Sequence, residues 1–381
     1  MQEDHQDGMT EIMYQYAKEK PSLKRAKEKL RADAYIRTVG EFLSRFCKTE
    51  GSKLQKKVTD ILCETAGDTA NRESIGRKVR EWLTKKKTSI DKESAVQLAF
   101  ALKMELDDAE ELLCRLSDEN FHWRDPDDIV LMFALKEKLR YCDAVDLLTR
   151  IRPLYDAAAS EENSSTMTES LIPKISQIQT EDDLKNFISS EAPKLGKLHN
   201  TAYYLYTHFL RLLSDDGDML ISGGKRKKEA EDVEEEKIAS NILNTYLHRQ
   251  SIPFESKKAG KILRDALQRS IKQNWPDKYI LSRMSNRSID VSRKVLILLF
   301  LACDGGETAY SNLSDESDDD IFEDTYTRLT QMLLDCGFPP LDSRKPFDWM
   351  VLYCIAKADD IAEIDGNIEK FLSEIFDDSG H

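Results

Sequence analysis

The sequence predicts an all-α protein, and three observations carry that expectation. Pro and Gly are scarce, 10 and 15 in 381 residues, while Leu, Lys, Glu and Ala abound, a composition that favours helix. Apolar residues recur with a period near 3.6 through much of the chain, as they do on helices with one buried face. No series of alternating apolar runs bounded by turn residues appears, which argues against a sheet. With 40% apolar residues the chain can form real cores, and its length fits two or three domains.

Taken in order, residues 1–20 are polar and acidic at their start and read as a loose tail rather than a signal peptide. Pro21 and Ser22 open a helix, SLKRAKEKLRADAYIRTVGEFLSRFCKTEG, whose second half brings Tyr35, Val39, Phe42, Leu43 and Phe46 to one face and which Gly51 ends. LQKKVTDILCETAG follows, with Leu54, Val58, Ile61 and Leu62 inward and Gly67 as its stop. In NRESIGRKVREWLTKKKTS, residues 71–89, Ile75, Val79, Trp82 and Leu83 form a buried stripe, and Arg72, Arg77, Lys78 and Arg80 point elsewhere. Lys85, Lys86 and Lys87 close that helix, where cations suit its negative pole. Asp91 caps DKESAVQLAFALK, and ELDDAEELLCRL makes another short helix. Five short helices thus span about residues 35–116, the third of them basic.

Beyond Arg152 and Pro153 the pattern weakens, and the Ser/Thr-rich SEENSSTMTES reads as a linker. Thr180 with Asp183 signals the next helix start. Further helices are expected near 237–249, 257–273, 276–284 and 290–303, and then in three segments of the C-terminal part. The apolar run VLILLFLAC is too short to span a bilayer and reads as a buried core helix. No fixed-period repeat is apparent. The domain plan is therefore a tail (1–20), a basic domain (21–158), a linker (159–179) and an acidic all-helical body (180–381), one domain or two, with loops near 214–235 and 304–324.

Charge is uneven. The chain carries −14 overall, yet residues 18–95 hold 21 Lys and Arg against 12 Asp and Glu, leaving 35 against 58 elsewhere. A basic stretch can attract phosphate even on an acidic molecule, because salt screens distant charge beyond about 10 Å. Seven widely spaced cysteines with no CxxC pair fit reduced thiols and a cytoplasmic protein, and neither a disulfide framework nor a zinc site. The six histidines show no metal spacing, and Ser, Cys and His form no nucleophile motif. The acidic SDESDDDIFED lacks the Gly of a calcium loop. KRKK at 225–228 runs straight into EAEDVEEE, which neutralises it locally. No enzyme activity, metal or cofactor is expected, nor any membrane association.

The stretch SIDKESAVQLAFALKMELDDAEELL, residues 89–113, resembles the fourth and fifth helices of helix-turn-helix domains of the phage-repressor (XRE-like) type, above all at 97–102 and 107–113. FHWRDPDDIVLMFALKEKLRYCDAVDLL, residues 121–148, is similar to the Arg-Asp-led helical extension in a group of uncharacterised bacterial proteins with that domain; the likeness covers about residues 35–150. Where the family often has Gly after its third and fourth helices this chain has Lys86 and Lys103, and where it often has Pro before the fourth, Ile90. The resemblance implies a five-helix DNA-binding domain followed by a larger helical body, acting as a transcriptional regulator on double-stranded DNA. Arg72, Arg77, Lys78 and Arg80 would face the major groove, and Lys85, Lys86 and Lys87 would hold phosphate. Trp82 and Leu83 would fix the third helix against the Phe100 helix, and a homodimer would read two half-sites. The alternative is a scaffold or inhibitor that reuses the fold and binds a protein partner through its acidic body.

Overall fold

A computed structural model describes residues 4–31, 38–67, 70–84, 87–117, 119–156, 171–196, 198–218, 266–272, 275–276, 278–303 and 321–376. The protein is all-α, and the described residues contain no strand. The first helices are α1 (Asp4–Lys18), α2 (Leu23–Arg31), α3 (Val39–Cys47), α4 (Gly51–Ala66), α5 (Arg72–Thr84), α6 (Lys92–Ala101) and α7 (Leu106–Ser117). Then come α8 (Pro126–Lys136), α9 (Tyr141–Ile151), α10 (Pro153–Asp156), α11 (Ile172–Ser176), α12 (Glu181–Glu191) and α13 (Asn200–Asp218). The last are α14 (Ala266–Lys272), α15 (Lys278–Ser285), α16 (Arg293–Ala302), α17 (Ile321–Asp335), α18 (Pro346–Lys357) and α19 (Glu363–Phe376). No helix among the described residues is long and apolar enough to cross a membrane.

The chain forms two compact units. A contiguous unit comprises Thr38–Asn200 with Gly337–Pro339, and a flanking unit comprises Met1–Arg37, Thr201–Cys336 and Pro340–His381. These boundaries correct the sequence-based plan in three places. The helix expected from Ser22 to Gly51 is not continuous, because Thr38 starts a new one: its hydroxyl accepts from the Glu41 amide (3.1 Å) and the Glu41 carboxylate accepts from the Thr38 amide (2.9 Å). Residues 159–170 of the expected linker lie outside the described residues, but Leu171, Ile175 and Ile178 are buried in the contiguous unit. Helix α12, capped by Thr180 as expected, packs on α8 there rather than heading a second domain.

The third correction concerns the N-terminus. Residues 4–18 are not a loose tail but a helix that packs on α18. Met13 and Ala17 are buried, and the Trp349 indole N–H donates to the Met13 carbonyl at 2.9 Å. Ser343 donates to the Thr10 carbonyl at 2.6 Å, and the Tyr353 hydroxyl to that of Pro21 at 2.9 Å. The basic block is divided as a result. Eight of its cations lie in residues 18–37, where Lys18 pairs with Glu323 (2.5 Å) and Lys27 with Glu374 (3.1 Å) inside the flanking unit.

Each unit is pinned by a buried carboxylate. In the contiguous unit Asp128, third residue of the Pro-led α8, accepts from the His122 amide at 2.7 Å and pairs with Lys92 at 2.6 Å. Lys92 opens α6, so the pair joins α8 to α6. Burial opposes the Lys92 charge, but the Asp128 carboxylate outweighs it and raises the ammonium's pKa. In the flanking unit Asp348, third residue of the Pro-led α18, accepts from the Asp342 amide at 2.8 Å and from both terminal nitrogens of Arg293, at 3.0 and 2.8 Å. Arg293 opens α16, the apolar helix that the sequence places in a core, with every residue from Arg293 to Leu301 buried. The side chains of Arg293 and Asp348 are 5% and 1% exposed. Asp348→Ala strands a buried guanidinium and is expected to cost about 3–5 kcal/mol in urea unfolding. Lys185→Ala, which breaks only exposed pairs with Glu181 and Asp182 on its own helix, is expected to change stability by less than about 1 kcal/mol.

Candidate nucleic-acid interface

Helix α5 is positioned by its two ends and its inner face. At the end of α4, Gly67 takes φ 63° and ψ −147°, a backbone region that in practice only glycine occupies. A Cβ there would stand 2.9 Å from the Cys142 sulfur on α9, so a side chain is excluded by space as well. Asn71 then starts α5, its side-chain oxygen accepting from the Ser74 amide at 2.9 Å. Val79 and Trp82 are buried and Ile75 and Leu83 partly so. The helix packs on α3 and α4, and Leu83 lies against Gly40 of α3. After α5 the chain is tied back to α3 by the Val39 amide, which donates to the Lys87 carbonyl at 2.8 Å.

The outer face of α5 carries Glu73, Arg77, Arg80 and Thr84, all exposed, at the i, i+4, i+7, i+11 spacing of one helical stripe. Of the seven cations expected at the interface, Arg77 and Arg80 are brought together on this face, and neither forms an ion pair with a described residue. Arg72 is exposed but bonded to Asp60 on α4. Lys78 is half-buried, its ammonium 5.6 Å from the centre of the Trp82 ring. Lys87 pairs with Glu81 at 3.1 Å. Lys85 and Lys86 lie outside the described residues. Glu73 was missed as a member of the outer stripe, although its four-residue spacing from Arg77 is plain in the sequence.

Lys78 also has an electrostatic role at the start of α6. Burial would raise the pKa of Asp91, the N-cap of that helix. Hydrogen bonds from the Ser94 hydroxyl (2.6 Å) and amide (2.8 Å), with the Lys78 charge nearby, hold it below the ordinary aspartate value instead. The far end of α6 is regular although it lacks the glycine frequent in phage-repressor domains. Lys103 itself adopts φ 52°, its amide donates to Phe100 (3.0 Å), and Met104 donates to Ala99 (3.1 Å), the bond pair of a Schellman ending. Among the described residues no group of three or more His, Cys, Asp or Glu could hold a metal ion.

Comparison with protein-family models gives no match, and neither the curated proteins nor the solved structures contain one.

The depressed pKa of Asp91 sets the sign of a pH effect. The cap stabilises fully above the ordinary value of 3.8 and its contribution is lost as pH falls through the lower folded value. Asp91→Ala is expected to cost about 1 kcal/mol at neutral pH, and the gap between variant and parent should close in acid. A gap in unfolding free energy that stays constant down to pH 2 or so would show that the carboxylate is not the cap.

Proposed function

We propose that the protein is a non-enzymatic DNA-binding protein, a regulator in which α5 serves as the reading helix of a phage-repressor-like domain. The single observation that carries this reading is the pair Arg77 and Arg80, exposed on the outer face of α5 and without an acidic partner among the described residues. Arginine can grip guanine O6 and N7 together or hold a phosphate. The five helices α3 to α7 and the fixed entry to α5 through Gly67 and Asn71 agree with this role. The groove-facing set is narrower than the sequence implies: Arg77 and Arg80, with Arg72 available by exchange from Asp60. Lys78 serves the packing of α5 and the cap of α6.

A scaffold reading keeps one observation in its favour. Glu73 shares the stripe with the two arginines, and Phe46 on α3, stacked on Phe42 at 6.3 Å between ring centres, is 45% exposed. Such a mixed surface suits a protein partner. Binding of the full chain to labelled duplex DNA across a salt series separates the two. Under the DNA reading affinity falls steeply with salt, and Arg77→Gln with Arg80→Gln lowers the slope of log affinity against log salt by roughly two. No DNA binding at low salt, together with a protein partner co-purifying from native cells, would overturn it.

A further inference from the structure

The flanking unit repeats the plan of the contiguous one. Five residues separate α4 from α5 and five separate α14 from α15; seven separate α5 from α6 and seven separate α15 from α16. Helix α6 has Asp91 as N-cap and Lys92 as first residue; α16 has Ser292 as N-cap and Arg293 as first residue. Each of those cations pairs with the carboxylate at the third position of a later Pro-led helix, Asp128 or Asp348. Each carboxylate accepts from the amide six residues before it, His122 or Asp342. The turn before the proline closes the same way, Asp125 donating to His122 at 2.9 Å and Lys345 to Asp342 at 2.8 Å. Arg124-x-Pro126-x-Asp128 and Arg344-x-Pro346-x-Asp348 are the only residues on which the two sequences visibly agree in this turn. The helix that follows packs back in both units, α9 on α8 and α6, and α19 on α18 and α16. One difference hides the correspondence: four residues join α6 to α7, but eighteen join α16 to α17.

We infer that the two units are copies of one module, and that α15 is the flanking unit's counterpart of α5, a second helix that contacts nucleic acid. This rests on the DNA reading of α5. The chemistry of α15 agrees with it independently of the repeat. Its inner side buries Leu281 and Met284 at the spacing of Val79 and Trp82, and its end is fixed by Tyr203, whose hydroxyl donates to the Ser285 carbonyl at 2.9 Å. Its outer side exposes Tyr279 (69%) and Ser282, and Asn286 is exposed just past its end. The Arg283 guanidinium lies 5.6 Å from the Tyr279 ring centre, and that of Arg287 lies 4.6 Å from the Tyr203 ring centre. Arginine, tyrosine, serine and asparagine are side chains that donate to phosphate oxygens. From residue 278 to 289 there is no acidic residue, whereas α5 carries Glu73 and Glu81. The Tyr279 ring under the Arg283 guanidinium limits its rotamers while leaving an N–H edge for a ligand.

The test uses the full chain and one random-sequence labelled duplex, with affinity measured over a potassium chloride series. Arg283→Gln is expected to lower the salt slope by roughly one, Arg77→Gln with Arg80→Gln by roughly two, and the three substitutions together by roughly three. Thermal melting of each variant checks that the fold is kept. Should Arg283 prove needed for folding, Tyr279→Glu, at a site 69% exposed, places a repelling charge on the same face and should weaken binding likewise. If the parent binds and the α5 pair weakens it, while Arg283→Gln and Tyr279→Glu leave slope and affinity unchanged, the second head is excluded and the α5 reading stands. If the parent binds no DNA even at low salt, both fall.

Discussion

A carboxylate buried at the third position of a helix holds each unit of this protein together. Its location explains a feature that would otherwise be unfavourable. Lys92 and Arg293 stand at the first position of their helices, where the positive pole repels a cation. Asp128 and Asp348 reverse the sign of that interaction. Each lies at the positive pole of its own helix, takes one backbone N–H from the turn before it and faces the cation of the other helix. Two helix starts therefore meet around one negative charge. The Arg293 guanidinium uses a further N–H on the Pro340 carbonyl at 2.9 Å, so little of the buried pair is left without a partner.

Much of the helical content was legible from the sequence, because it depends on local signals. The caps at Asp91 and Thr180, the stripe of α5 and the buried run of α16 all follow from residue types within a few positions of one another. Thr38 and Glu41 form the same local signal, but it lies inside a long helical pattern that masked it. The packing of α1 was harder to read. Its apolar positions Met13 and Ala17 are correctly spaced, yet they sit among acids and glutamines, and only the partner face on α18 makes them core. The two buried ion pairs join residues 36 and 55 positions apart, which no periodicity reports.

The basic face of α5 can be drawn from the sequence, but the neighbours of its side chains cannot, for a physical reason. A helix wheel separates apolar from polar positions, but it cannot say which polar side chains are already engaged. Lys78 sits at the edge of the apolar stripe, where Trp82 and the Asp91 cap draw it in. Arg77 and Arg80 lie further round and have no such neighbour among the described residues. The excess of cations over residues 18–95 also had two separate origins. Its first part neutralises acids on α17 and α19 in the flanking unit, and only its second part reaches the surface around α5. Equal spacings between helices, visible once the elements are known, were hidden in the sequence by the unequal stretches before α7 and α17.

The contact between Gly67 and Cys142 gives α9 a hold on α5. The direction in which α5 leaves α4 depends on a bare backbone position with a sulfur atom pressed against it. Enlarging that sulfur by oxidation or alkylation would push on the pivot itself. The course of α5, and with it the face that carries Arg77 and Arg80, is thus tied to the space around one thiol on α9.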